Sequence, residues 1–95
     1  RIITTNSAFV GLSSTSTEVS DTAATLVATA LNGRTTIIIQ NIGNKAVFLG
    51  DNNVTSANGL KLEAGASISL PLSEYVSLYA RSASGNQEIR VLQIG

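Results

Sequence analysis

A chain of 95 residues fits one domain, and at that size folding buries only about 60 to 65% of the surface that the unfolded chain exposes. Six basic residues balance six acidic ones and only 13% of residues are charged, so there is no field to gather phosphate backbones or an anionic membrane surface, and neither partner is expected. The chain has no His and no Cys, which excludes Ser-His-Asp and Cys-His arrangements, disulfides and the usual zinc ligands.

The apolar 43% is built from Ala, Val, Ile and Leu, and the polar remainder is mostly Ser, Thr, Asn and Gly, a mixture suited to strands and tight turns. The longest apolar runs, such as Ile37-Ile38-Ile39, fall far below the roughly 20 residues that span a bilayer. The chain begins at Arg1 rather than Met, so localisation rests on other grounds.

Residues 1–22 read as an extended Ser/Thr-rich arm, with Ala8, Phe9, Val10 and Leu12 as their apolar cluster. The stretch Ser13-Ser14-Thr15-Ser16-Thr17 has too little to bury to order itself, so it is either mobile or held by a neighbour. The other reading of this segment is an ordinary first strand of the same domain. Residues 23–95 read as the folded domain.

From Ala23 onward the signals are strands and turns. Ala24 to Leu31 meets Asn32-Gly33, a strong hairpin signal because both residues accept positive φ. Thr35 to Ile42 follows, rich in β-branched residues, and Gly43-Asn44 turns the chain into Lys45 to Gly50. Those three segments are expected to form a meander. Asp51 to Gly59 is a polar surface excursion. Leu60-Lys61-Leu62 alternates, as do Ile68, Leu70 and Leu72, and Pro71, which cannot donate to a ladder, places that strand at an edge or its end beyond the sheet. Val76, Leu78 and Ala80 are expected to face one way, with Ser77, Tyr79 and Arg81 the other. In the last strand Ile89 and Val91 lie on one side, and Glu88, Arg90, Leu92 and Ile94 on the opposite one. Leu92 and Ile94 therefore lie either under a loop or the arm, or at a subunit contact. The pattern predicts an all-β fold: a small antiparallel β-sandwich or jelly-roll-like barrel of six to seven or more short strands.

Little in the sequence suggests catalysis. Glu18, Asp21, Asp51, Glu63, Glu74 and Glu88 fall singly near turns or on outward positions, unlike a paired acid and base, and the chain is expected not to be an enzyme. Asp51, Asn52, Asn53, Thr55 and Asn58 crowd oxygen atoms into one loop, but one carboxylate is a poor calcium set, and an Asx-rich turn bonded to its own backbone is favoured. Asn53-Val54-Thr55 also fits the N-glycosylation pattern. No metal, cofactor or catalytic residue is assigned. Arg34, Lys45, Lys61, Arg81 and Arg90 are dispersed rather than clustered, and Arg34 and Lys61 are expected to tolerate alanine. Ile39 and Leu78 are expected not to tolerate Asp. Tyr75 and Tyr79 offer either an aromatic platform for sugars or an interface margin.

The order Asn32-Gly33-Arg34-Thr35, Ile39-Gln40-Asn41-Ile42-Gly43, Val47-Phe48-Leu49-Gly50, Val54-Thr55-Ser56-Ala57-Asn58-Gly59, Leu62 with Ala64-Gly65, and Leu78-Tyr79-Ala80 resembles small β-sandwich structural proteins of tailed bacteriophages. The resemblance implies a capsid decoration or cement protein on the outer capsid surface, with no active site or cofactor, acting through many copies of one surface. It further implies a homo-oligomer, a trimer above all, seated on the major capsid protein, with the arm reaching a neighbour's sheet edge. Phe9, Val10, Leu12, Tyr75, Tyr79, Leu92 and Ile94 are the candidate interaction residues. The alternatives are a tail or fibre module that binds host surface glycans, and a cellular extracellular carbohydrate-binding or adhesion module.

Overall fold

A computed structural model describes residues 11–95. These form eight strands: β1 (Leu12–Val19), β2 (Thr25–Leu26), β3 (Thr36–Asn41), β4 (Val47–Gly50), β5 (Leu60–Leu62), β6 (Ser67–Pro71), β7 (Tyr79–Ser82) and β8 (Gln87–Ile94). They make two four-stranded sheets, ordered β1-β8-β3-β6 and β2-β7-β4-β5, with every pairing antiparallel. The expected all-β sandwich is the fold observed. Residues 12–19, read above as arm or first strand, form β1, paired along its length with β8; Phe9 and Val10 lie outside the described residues.

The core lies between the sheets, and period-two alternation fills it from both sides. Val19, Ile37, Ile39, Ile89 and Val91 come from the first sheet and Val47, Leu49, Leu62 and Ala80 from the second, with Val27 beside them. Ile68 and Leu70 pack against this cluster from the edge strand β6, whose last residue is Pro71, as its missing N–H requires.

The expected meander is corrected. Strands β2, β3 and β4 alternate between the sheets, and only β4 and β5 are consecutive neighbours. Asn32-Gly33 does turn the chain: Gly33 has φ 79° and the Arg34 N–H donates to the Leu31 carbonyl at 3.0 Å. No ladder follows on the near side: after the Val27 N–H donates to the Leu78 carbonyl at 2.9 Å, the carbonyls of Val27 and Thr29 and the N–H of Leu31 are taken by side chains. Gln93 Nε2 donates to the Thr29 carbonyl at 3.0 Å, Gln93 Oε1 accepts the Leu31 N–H at 3.0 Å, and Thr17 Oγ1 donates to the Val27 carbonyl at 2.7 Å. Beyond the turn, the Thr35 N–H donates to the Ile94 carbonyl, committing β3 to β8. Such a crossing lets Val27 enter the core from one layer while Ile37 and Ile39 enter it from the other.

Phe48 breaks the alternation, being 9% exposed on the outward side of β4. The excursion 51–59 folds over it, with Val54 buried above. A Cβ on Gly59 would lie 2.5 Å from Phe48 Cβ and 2.8 Å from Val54 Cγ2, so glycine is what lets the loop close. Gly59→Ala is expected to cost about 1 to 3 kcal/mol through overpacking, read as a lower midpoint in urea unfolding.

The strand reading of 76–82 needs one adjustment. Leu78 packs against the core and Ala80 is buried as expected, but Val76 is 48% exposed and precedes β7, because its carbonyl is held by Arg34.

Candidate functional site

The outward face of the β1-β8-β3-β6 sheet is defined by register. One row across it is Leu12, Ile94, Thr36 and Pro71; the next is Ser14, Leu92, Ile38 and Ser69; the third is Ser16, Arg90, Gln40 and Ser67. Glu18 faces Glu88 beyond the third row. One end of the face is therefore apolar and the other charged.

Leu12 is 69% exposed, and Ile38, Leu92 and Ile94 are half-buried, shielding one another but facing solvent. Between the two ends lies a depression of about 250 Å³ lined by Ser14, Ile38, Gln40, Arg90, Val91 and Leu92. Aliphatic floor and polar rim suit it to a side chain from a partner. The structure thus brings Leu12, Leu92 and Ile94 together, as Leu12 and Ile94 are directly paired.

At the charged end Glu88 is compensated by its neighbours. Two carboxylates opposite one another repel, but the Ser16 hydroxyl donates to Glu88 and Arg90 Nε lies 3.4 Å from the same carboxylate oxygen. These contacts, the Ser16 hydrogen bond foremost, hold the Glu88 carboxyl below the usual carboxylate range against a smaller effect of desolvation. Glu88 thus remains ionised at the border of the apolar rows.

The tyrosines lie elsewhere. Tyr75 is 88% exposed in the segment between β6 and β7, while Tyr79 is half-buried on β7 opposite Leu26 of β2. They belong to the second sheet and its approach, so the candidate interaction residues do not form one patch.

In the loop after β4 the side chains are engaged locally. Asp51 Oδ1 accepts the Asn53 N–H at 3.0 Å, Asn58 Oδ1 accepts the Thr55 N–H at 2.8 Å and Thr55 Oγ1 accepts the Ala57 N–H at 3.2 Å. This is the Asx-type turn favoured from sequence. Among the described residues, no three acidic side chains come together as a metal site.

Sequence reasoning missed a buried polar group. Arg34, expected to be a dispensable surface cation, is 4% exposed. Its Nε donates to the Leu72 carbonyl at 3.1 Å, one terminal nitrogen to Gln93 Oε1 at 2.7 Å, and the other to the carbonyls of Ser73 and Val76 at 2.8 and 2.5 Å. Burial lowers its pKa, and nearby Glu74 partly offsets this. Glu74 Oε1 also accepts the Gly33 N–H at 3.0 Å. The guanidinium thus ties the 72–76 segment, which displays Tyr75, to β8. The available signal was local: an Arg directly after an Asn-Gly turn and before a core strand, with Gln93 at an inward position of β8.

No protein-family model matches the chain, and no curated protein does either. The class defined by the coordinates is a two-sheet antiparallel β-sandwich. The same fold occurs in protein NMB1881 from Neisseria meningitidis, at 12% identity over 90% of this chain and 76% of that one, with a TM-score of 0.54. It occurs also in the hydroxypropylphosphonic acid epoxidase from S. wedmorenis, at 13% identity over 86% of this chain but only 42% of that one, with a TM-score of 0.52. The second likeness corrects the expectation that the chain is not an enzyme: a sandwich of this fold serves an epoxidase, so fold gives no ground for excluding catalysis. At these identities the likeness is of fold alone.

Proposed function

We propose that this chain is a virion accessory protein of the capsid-decoration type, which seats the outer face of its β1-β8-β3-β6 sheet on the major capsid protein at the outer surface of a tailed-phage particle. The observation that supports this reading is the apolar end of that face, where Leu12, Ile94, Ile38 and Leu92 adjoin across three strands beside Pro71. A sandwich whose core is already filled gains little for its own folding from four outward aliphatic side chains, whereas a docking face gains a dry centre. The sequence resemblance adds the particle. Each copy needs only a weak contact, because a capsid lattice presents the same site many times.

Co-sedimentation with emptied phage capsids tests the reading. The wild-type chain is expected to pellet with shells, and Leu92→Asp, which places a charge at the centre of the apolar rows, is expected to weaken binding at least about tenfold while leaving folding intact. Wild-type chain that stays in the supernatant overturns the proposal.

The exposure of Tyr75 favours a second reading, a tail or fibre module that binds host surface glycans. Retention on host polysaccharide, lost in Tyr75→Ala and kept in Leu92→Asp, would select it.

A further inference from the structure

Each sheet of a sandwich ends in strands whose outward N–H and C=O groups invite pairing, and folded proteins usually guard such edges. Three of the four edges here are guarded. Strands β2 and β5 have two and three residues, and β6 has five and carries Pro71 at its end. On β6 the Leu72 N–H donates to the Thr35 carbonyl, so by alternation Pro71 is one of the residues facing outward, where its ring removes a donor.

Strand β1 is different. It has eight residues, Leu-Ser-Ser-Thr-Ser-Thr-Glu-Val, with no proline, no lysine and Glu18 as its one charge. The Gly95 N–H donates to the Gly11 carbonyl at 2.9 Å, which fixes the phase of the β1–β8 ladder. In that phase the odd-numbered residues of β1 bond to β8, and Leu12, Ser14, Ser16 and Glu18 turn their N–H and C=O groups away from the sheet. Among the described residues none of these four makes a backbone hydrogen bond on that side.

We infer that β1 is an assembly edge, pairing antiparallel with β1 of a second copy about a two-fold axis at Thr15 and joining two four-stranded sheets into one. Charge selects this partner and orientation. Antiparallel pairing about Thr15 sets Ser14 opposite Ser16 and Leu12 opposite Glu18, and holds the two Glu18 side chains about 20 Å apart; parallel pairing would set them side by side. Copies of net charge +0 do not repel at long range. About eight backbone hydrogen bonds would form, and the small Ser and Thr side chains leave the approach unobstructed. Edge pairing leaves the outward face of the sheet uncovered, so it does not depend on what that face binds, and a two-fold pair would present two docking faces in one plane.

The test is sedimentation velocity of the full chain over a concentration series, with amide hydrogen exchange. A reversible dimer is expected, in which the Ser14 and Ser16 N–H groups gain protection as concentration rises. The double variant Ser14→Pro, Ser16→Pro removes about half of the intermolecular donors while sparing every backbone bond to β8, losing only the Ser16 hydroxyl's bond to Glu88, and is expected to weaken dimerisation by at least about 100-fold. Ser14→Lys with Ser16→Lys, which keeps the backbone unchanged, is expected to do the same. A wild-type monomer at about 1 mM, a trimer, or a dimer indifferent to both variants would overturn the inference. So would concentration-independent protection at Ser14 and Ser16, which would mean that the chain covers its own edge. Dimerisation without capsid binding would uphold it and defeat the decoration reading alone.

Discussion

Replacing Arg34 with alanine is expected to lower the stability of the domain by about 3 kcal/mol, the cost of leaving buried acceptors without a charged donor. Four acceptors lose a charged donor at once: the carbonyls of Leu72 and Val76 are left with none, while the Ser73 carbonyl keeps the Val76 N–H and Gln93 Oε1 keeps the Leu31 N–H. Gln93 is itself 1% exposed, so water cannot readily replace the guanidinium there. For a domain of this size the loss corresponds to a fall of roughly 12 to 24 °C in Tm. Arg34→Lys should recover little, since one ammonium cannot span acceptors on two sides that a planar fork reaches together. Lys61→Ala is the control. Its ammonium lies 3.3 Å from Glu63 with both side chains more than half exposed, a pair worth about 0 to 1 kcal/mol. Thermal unfolding of the three variants checks the ranking, and an unchanged Tm for Arg34→Ala would show that the 72–76 segment is held by other means.

This cluster shows where the sequence was legible and where it was not. Strand faces could be read because alternation is local: Ile39 inward, and Ile89 and Val91 against Leu92 and Ile94. Pro71 limited its strand to an edge or to an end beyond the sheet for the same reason, since a missing donor acts through its own residue, and β6 is at an edge. What failed was everything set by partners distant in the chain. Asn32-Gly33 specifies a turn but not whether the segments it joins share a sheet, and here Gln93, 61 residues after Asn32, holds the near side away from a ladder. Arg34 looks like a surface cation until its partners, roughly 40 and 60 residues downstream, are in place. Leu12 could be placed in an apolar cluster, but its pairing with Ile94 follows only from the β1–β8 register.

The reading of residues 12–19 has a similar origin. A Ser/Thr-rich segment buries too little to order itself, which leaves it either mobile or held by a neighbour. The neighbour is β8 of the same chain, supplying a full ladder of backbone bonds, with Val19 anchoring one end in the core. Among the described residues, the other edge of this strand makes no backbone hydrogen bond, which is the observation behind the pairing inferred for it.

The sharpest separation of folding from function is expected at two adjacent residues of β3. Ile39 is wholly buried between the sheets, whereas Ile38 is half-buried on the outward face and borders the depression beside Leu92. Ile39→Asp both removes an aliphatic side chain from the core and places a carboxyl there with no donor to meet it, for a combined loss of about 5 kcal/mol or more. A domain of this size has about 5 to 14 kcal/mol in all, so the variant is expected to be largely unfolded at neutral pH by circular dichroism. Any folded fraction should increase on acidification. The buried carboxyl would have a raised pKa, the folded state would bind the proton more tightly than the unfolded one, and the penalty would ease as pH falls through that raised value. Ile38→Asp carries the same chemical change one residue away and is expected to fold, with a loss of about 1 kcal/mol for a partly exposed site. On the proposed capsid-decoration reading it should nonetheless abolish binding to capsids, because the same charge then interrupts the apolar rows of the outward face. If Ile38→Asp unfolds as Ile39→Asp does, that face is part of the core of a larger fold rather than a docking surface. If it folds and still binds, the contact lies elsewhere, and the exposed Tyr75 is the next residue to change.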